Sequence, residues 1–357
     1  PSGKSLFWAG LNKGKKSIAV DFKNPKGREL ITQLIQMPAE NSGILLTNLM
    51  VKGWIDHEVL REVRKDLISI TLTGDRHGLP QVDYTVGPAL GIPHFTGPEG
   101  SSDPIASAIP TWDLLAGQLC VTTLLAAERY RFISGKGQKI EVSLKDVAAA
   151  TLGHLGLLSD AVLNSEERQK AGNSLYGAYG QDFICADGER VMVIGLTLRQ
   201  WQGIVQITET ADKMAELEKT HNIDLSDESV RWKYRHEITQ ILEPWFKKRS
   251  VSDFSDIFNS AKLTWSRFRS LKEAMQFDDD LSLKNPLFQN VNQPGIGQHL
   301  VPTHPAKFSE FDRKSAEKAP ILGAHTEEIL LEVMKLSEAE VASLFDNRIV
   351  AGPNHNV

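Results

Sequence analysis

Two hydrophobic periods take turns along this chain. Residues 17–22 (SIAVDF) alternate, with Ile18, Val20 and Phe22 on one side, and predict a strand. A helix follows, opened by Asn24 and Pro25, with Leu30, Ile31, Leu34 and Ile35 on one face. Residues 43–46 (GILL) and 67–72 (LISITL) predict short apolar strands. Strands of this kind separated by helices predict βαβ units and a parallel sheet. Residues 74–110 are rich in Gly and Pro and read as loop. A long helix is predicted over 112–132, a turn at 135–138 (GKGQ), a strand over 139–143 and a helix from near Leu144 past Leu158. Residues 178–195 predict a hairpin turning at Asp187 and Gly188. Helices with charged linkers over 211–230 then suggest a smaller α+β domain. Residues 284–312, with Pro286, Pro294, Pro302 and Pro305, read as an extended connection, and helices over 326–335 and 338–346 close the chain. No internal repeat or low-complexity tract is present.

Composition narrows the picture. With 357 residues, 41% hydrophobic and 24% charged, the chain has room for two domains of ordinary globular make-up. A net charge of -5 with interleaved signs gives no nucleic-acid footprint. The two cysteines, Cys120 and Cys185, argue against a disulfide framework and for a reducing, cytoplasmic setting. No metal-ligand spacing appears, and the apolar stretches are too short to cross a bilayer, so neither a metal nor a membrane is expected.

The candidate chemistry is modest when read from residues alone. Gly3-Lys4-Ser5 and residues 10–17 imitate a phosphate loop, but the glycine spacing and the helix that must follow are missing. Lys13, Lys15 and Lys16 are either a solvated charge run or a cradle for the phosphates of a nucleotide-like ligand. Asp146 follows Ser143 by three residues. That is the pattern of a capping box, which needs no chemistry. The same position, in the first turn of a helix, favours an ionised carboxylate able to attack a thioester. His154 lies two turns beyond Asp146 and would not meet it on one face. No Gly-x-Ser-x-Gly elbow supports a serine hydrolase. Residues 177–180 are glycine-rich without a dinucleotide fingerprint.

Several segments, in order, resemble the class III (CaiB/BaiF-type) CoA transferases, a family that also includes α-methylacyl-CoA racemases. They are residues 11–22 (LNKGKKSIAVDF), 47–49 (TNL), 135–146 (GKGQKIEVSLKD), 176–179 (YGAY) with Asp187-Gly188, and 322–328 (LGAHTEE). The resemblance implies an enzyme that moves CoA between carboxylates through an aspartyl-CoA thioester. Its partners would be acyl-CoA and carboxylic acid substrates, with CoA part of the substrate and no permanently bound cofactor. It assigns Asp146 as nucleophile. Leu11, Asn12, Lys13 and Lys15 match the loop that holds the CoA nucleotide; Asn48, Leu49 and Met50 match a loop near the pantetheine, with Lys52 a cationic neighbour. Asp83 falls in a further CoA-facing segment, and Gly177 and Gly180 are candidates for an oxyanion-stabilising turn. The racemases carry a His before the Asp, where this chain has Val82, and their second acid falls near Thr197. Residues 7–15, 82–86, 175–180 and 293–297 resemble a branch that transfers CoA between the two ends of one diacid. The implied fold is α/β: an open parallel-sheet, Rossmann-like large domain built from both chain ends, plus a smaller α+β domain, two chains interlocking as a homodimer. The expected limits are 1–170 for the first part of the large domain, 171–290 for the smaller domain and 291–357 for the connector and return. Family members carry a strand and loop ahead of residue 11, so part of the family domain is expected to lie before this chain.

Overall fold

A computed structural model describes residues 3–38, 41–49 and 51–353. In chain order the first half holds α1 (Leu6–Leu11), β1 (Ala19–Val20), α2 (Pro25–Gln36), β2 (Ile44–Thr47), α3 (His57–Val63), β3 (Ile68–Thr73), α4 (Asp83–Ala89), α5 (Thr111–Ser134), β4 (Gln138–Ser143), α6 (Leu144–His154) and α7 (Leu157–Leu163). The second half holds β5 (Tyr179–Ile184), β6 (Arg190–Gly195), α8 (Leu198–Ile207), α9 (Ala211–His221), α10 (Glu228–Lys233), α11 (Arg235–Lys247), α12 (Val251–Ser260), β7 (Thr264–Arg267), α13 (Leu271–Phe277), β8 (Phe288–Gln293), β9 (Gly297–Pro302), α14 (Thr326–Glu328), α15 (Glu338–Asp346) and β10 (Val350–Ala351). The chain divides into two compact units. Unit 1 comprises 1–79, 116–143 and 271–357; unit 2 comprises 80–115 and 144–270.

Unit 1 contains the parallel sheet, in the order β2-β3-β4, with Ile44 opposite Ile68 and Ile70 opposite Ile140. Leu67, Ile68 and Ile70 are fully buried, as strands covered on both faces require. Both chain ends belong to this unit, and they are bonded to each other. The N–H of Asp21 donates to the Ile349 carbonyl, the N–H of Ala19 to Thr326 Oγ1 at 3.0 Å, and the N–H of Ser17 to His325 Nδ1 at 3.0 Å. Leu30, Leu330, Val341, Leu344, Ile349 and Val350 form the core beneath that junction.

The predicted strand at 17–22 is only β1, two residues long, and it pairs antiparallel with β10 instead of joining the parallel sheet. The chain turns at once: Lys23 donates to Asp21 Oδ1, and Asn24 caps α2 with Pro25 behind it. The connection at 284–312 contains the hairpin β8-β9, turned through Gly295 at φ 72°. A π-helical turn, Ile329–Val333, follows α14.

Unit 2 carries the antiparallel meander β5-β6-β7 predicted in part by the hairpin pattern; Phe183 stands opposite Val191. Helices α8 to α12 cover it, and Phe183, Trp245, Phe246, Phe254 and Phe258 make one aromatic core. The stretch expected as loop at 74–110 contains α4. The helix expected to run past Leu158 breaks into α6 and α7, because Gly156 turns left-handed at φ 74°. Among the described residues no single helix is long and apolar enough to cross a membrane.

Candidate active site

In an open parallel sheet, ligands gather beyond the carboxyl ends of the strands. β2 ends at Thr47, whose Oγ1 accepts the Leu49 N–H at 2.9 Å and folds the loop over itself. Asn48, Leu49 and Lys52 are exposed on this loop. Met50 lies outside the described residues.

The lysine-rich loop follows α1, and Leu11 is that helix's exposed last residue. Asn12 Nδ2 donates to the Trp8 carbonyl at 3.0 Å, Lys13 Nζ to the Gly10 carbonyl at 2.6 Å and Lys15 Nζ to Asn12 Oδ1 at 3.0 Å. Lys16 is ion-paired with Glu328, which raises its pKa further. Gly14 has φ 67°, and its N–H donates to the Lys318 carbonyl. Lys13 also lines a cleft of about 710 Å³ with Phe308, Phe311, Arg313 and Lys314. These residues are preformed into one cationic loop held by the returning C-terminal chain.

The acidic candidates belong to unit 2. Asp146 is the third residue of α6, which follows β4 without a break, so its carboxyl occupies a first helical turn. Asp83 is not on a solvent-facing surface: it is buried, and its Oδ2 accepts the N–H of Trp112 at 2.6 Å and of Asp113 at 3.3 Å. Those N–H groups sit in the first turn of α5, where helices leave donors without partners. Pro110, just ahead of α5, offers no side-chain acceptor, and Asp83 supplies one from α4.

This contact exposes a residue the sequence reading passed over. Asp113 is the third residue of α5, and its pKa is raised, first by partial burial and then by the negative charge of Asp83. The residue as a whole is exposed, so the shift comes from partial burial of the carboxyl first and from the like charge of Asp83 second. Asp66, Asp224, Asp227, Glu328 and Glu340, by contrast, shift downward. A carboxyl raised by partial burial and a like charge is a candidate for acid or nucleophile chemistry. Its sequence signal was Pro110-Thr111-Trp112-Asp113 at the head of a long apolar helix.

The glycine turn divides in two. Gly177 adopts φ 83° with open space where a Cβ would stand. Gly180 is a packing glycine within β5, since a Cβ would come 2.6 Å from Ile194 Cδ1. Thr197 caps α8 through its hydroxyl and the Gln200 amide. Among the described residues no group of three or more His, Cys, Asp or Glu side chains could hold a metal ion.

Comparison with known proteins gives these residues their context. A sequence model of CoA-transferase family III matches residues 1–326. The chain is 46% identical over 350 residues to the 2-methylfumaryl-CoA isomerase of Chloroflexus aurantiacus, covering 98% of this chain and 86% of that protein. It is 25% identical to the human succinyl-CoA:glutarate CoA-transferase, over 97% of this chain and 78% of that protein. In fold it is similar to a CAIB/BAIF family protein from Brucella suis, with a TM-score of 0.72 at 21% identity, covering 92% of this chain and 84% of that one. The chain belongs to CoA-transferase family III.

Proposed function

We propose that this enzyme is a 2-methylfumaryl-CoA (mesaconyl-CoA) isomerase, which moves CoA from the C1 to the C4 carboxylate of one diacid. The observation that carries this reading is the 46% identity to an isomerase of that name over 98% of the chain. Residues 7–15 (FWAGLNKGK) and 175–180 (LYGAYG) are the phrases most like that branch.

The chemistry runs through an aspartate. An aspartyl carboxylate attacks the thioester carbonyl, the C–S bond breaks, and a mixed anhydride and CoA thiolate result. The thiolate then attacks the aspartyl carbonyl, giving aspartyl-CoA and the free diacid. The diacid's other carboxylate attacks the aspartyl-CoA carbonyl, expelling the thiolate and giving a second mixed anhydride; the thiolate then attacks the C4 carbonyl of that anhydride and releases the aspartate carboxylate. Each step exchanges one acyl bond for another, which is how covalent catalysis divides a hard transfer. We assign the nucleophile to Asp113. The support is its neighbour: a carboxylate made more basic by Asp83 is a stronger nucleophile once ionised. Asp146, in the equivalent turn of α6, is the second candidate, favoured by its position directly after the sheet strand β4.

Leu11, Asn12, Lys13 and Lys15 would hold the CoA nucleotide, supported by the preformed loop and its cleft. Asn48, Leu49 and Lys52 would line the pantetheine. The turn at Gly177 would offer N–H groups to the oxyanions. Free, buried Cys120 and Cys185 support a reducing, cytoplasmic setting. An interlocked homodimer is supported by α5, which leaves Leu119, Val121, Leu125, Phe132 and Ile133 exposed.

Following the C1 isomer by proton NMR in deuterated water tests the reading. Appearance of the C4 isomer without deuterium at carbon is the expected result. A racemase would instead take up deuterium at the α-carbon of a saturated α-methylacyl-CoA supplied in the same water, a proton transfer that Val82 and the capping role of Thr197 argue against.

A further inference from the structure

Asp83 is a buried carboxylate with a defined task. Its Oδ2 receives two main-chain N–H groups from α5, at Trp112 and Asp113, thirty residues along the chain. The indole of Trp112 also lies against α4, its Nε1 3.6 Å from where a Cβ on Gly87 would stand. So α4 grips the start of α5 at both main chain and side chain, and Asp113 follows Trp112 directly. Burying an ionised carboxylate is costly unless hydrogen bonds compensate it. The two N–H groups and the positive end of a 24-residue helix do so here. A purely structural cap needs no charge, since Asn or Ser caps a helix comparably. A carboxylate beside a second carboxylate is the more expensive choice, and its distinguishing effect falls on Asp113.

We propose that Asp83 is a positioning residue that acts through Asp113, fixing the first turn of α5 and holding the nucleophilic carboxyl in its attacking orientation. This rests on the assignment of Asp113 made above. The charge of Asp83 adds a second effect of the same contact: after partial burial, it makes the Asp113 carboxylate more basic.

Two substitutions separate the effects. Asp83→Asn keeps an oxygen that can accept both N–H groups and removes the charge. Asp83→Ala removes both. Each is compared with the wild-type enzyme for kcat, KM and the pH dependence of kcat/KM, with tandem mass spectrometry locating the acyl or CoA adduct. The acid limb should lie above the ordinary aspartate pKa of about 3.9 in the wild type. With Asp83→Asn it should move to lower pH, because loss of a like charge lets Asp113 ionise more easily. Asp83→Ala should lower kcat by roughly 10- to 100-fold, a misorientation effect, with KM little changed. Folded variants with wild-type kcat and an unmoved acid limb would overturn the proposal. Should Asp83→Ala fail to fold, the Asp83→Asn profile decides alone. An adduct absent from Asp113 in the wild type would instead sink the nucleophile assignment, and this inference with it.

Discussion

Asp113 and Asp146 hold the same local position, the third residue of a helix, and differ only in what surrounds them. Asp146 announces itself in the sequence because Ser143 precedes it at the capping interval, a local pattern. Asp113 lacks that capping interval, and what sets it apart, partial burial and Asp83, arises from the packing of α4 against the start of α5. Replacing Asp113 by Asn should therefore reduce turnover by about 10⁴-fold or more, as loss of a covalent nucleophile does. Asp146→Asn should stay within roughly tenfold of wild type, measured by the same isomerisation assay. A different buried charge serves stability. Arg231 is 1% exposed and donates to the carbonyls of Leu225, Ser226 and Leu196 at 2.8, 2.9 and 3.0 Å. Arg231→Leu leaves those buried acceptors without donors and should cost about 3 kcal/mol in urea unfolding. An arginine among helix residues gives no sequence hint of this, since its partners lie in two separate loops.

At the level of elements, alternation and apolar runs predicted β2, β3, β4 and the β5-β6 hairpin within a residue or two. They mistook β1, because a strand's partner is not written in its own residues: β10 is supplied from the far end of the chain. The break between α6 and α7 depended on whether Gly156 would turn left-handed, which a single glycine inside a helical pattern leaves open. Gly137 carries more weight than its place in a turn suggested. A Cβ there would stand 2.1 Å from the Leu67 carbonyl oxygen, where β4 starts beside β3. Gly137→Ala must push the two strands apart, and a loss of about 3 kcal/mol is expected by thermal or chemical denaturation. A variant of wild-type stability would mean the strands can part there freely.

For the whole molecule, the union of both chain ends in unit 1 was implied by family resemblance and is carried by the bonds from residues 17–21 to residues 323–349. The exposed apolar flank of α5 is what supports the proposed dimer. If that proposal holds, the wild type sediments as a dimer and Leu119→Arg with Leu125→Arg as a monomer; a wild-type monomer, or a dimer unchanged by the substitutions, would contradict an interface on α5. The central claim, an acyl group carried on Asp113, is tested most directly by quenching the wild-type enzyme in acid milliseconds after mixing with mesaconyl-C1-CoA and sequencing its peptides by mass spectrometry. An acyl or CoA adduct is expected on the peptide containing Asp113 and none on the peptide containing Asp146. An adduct on Asp146, or turnover with neither aspartate modified, would contradict it.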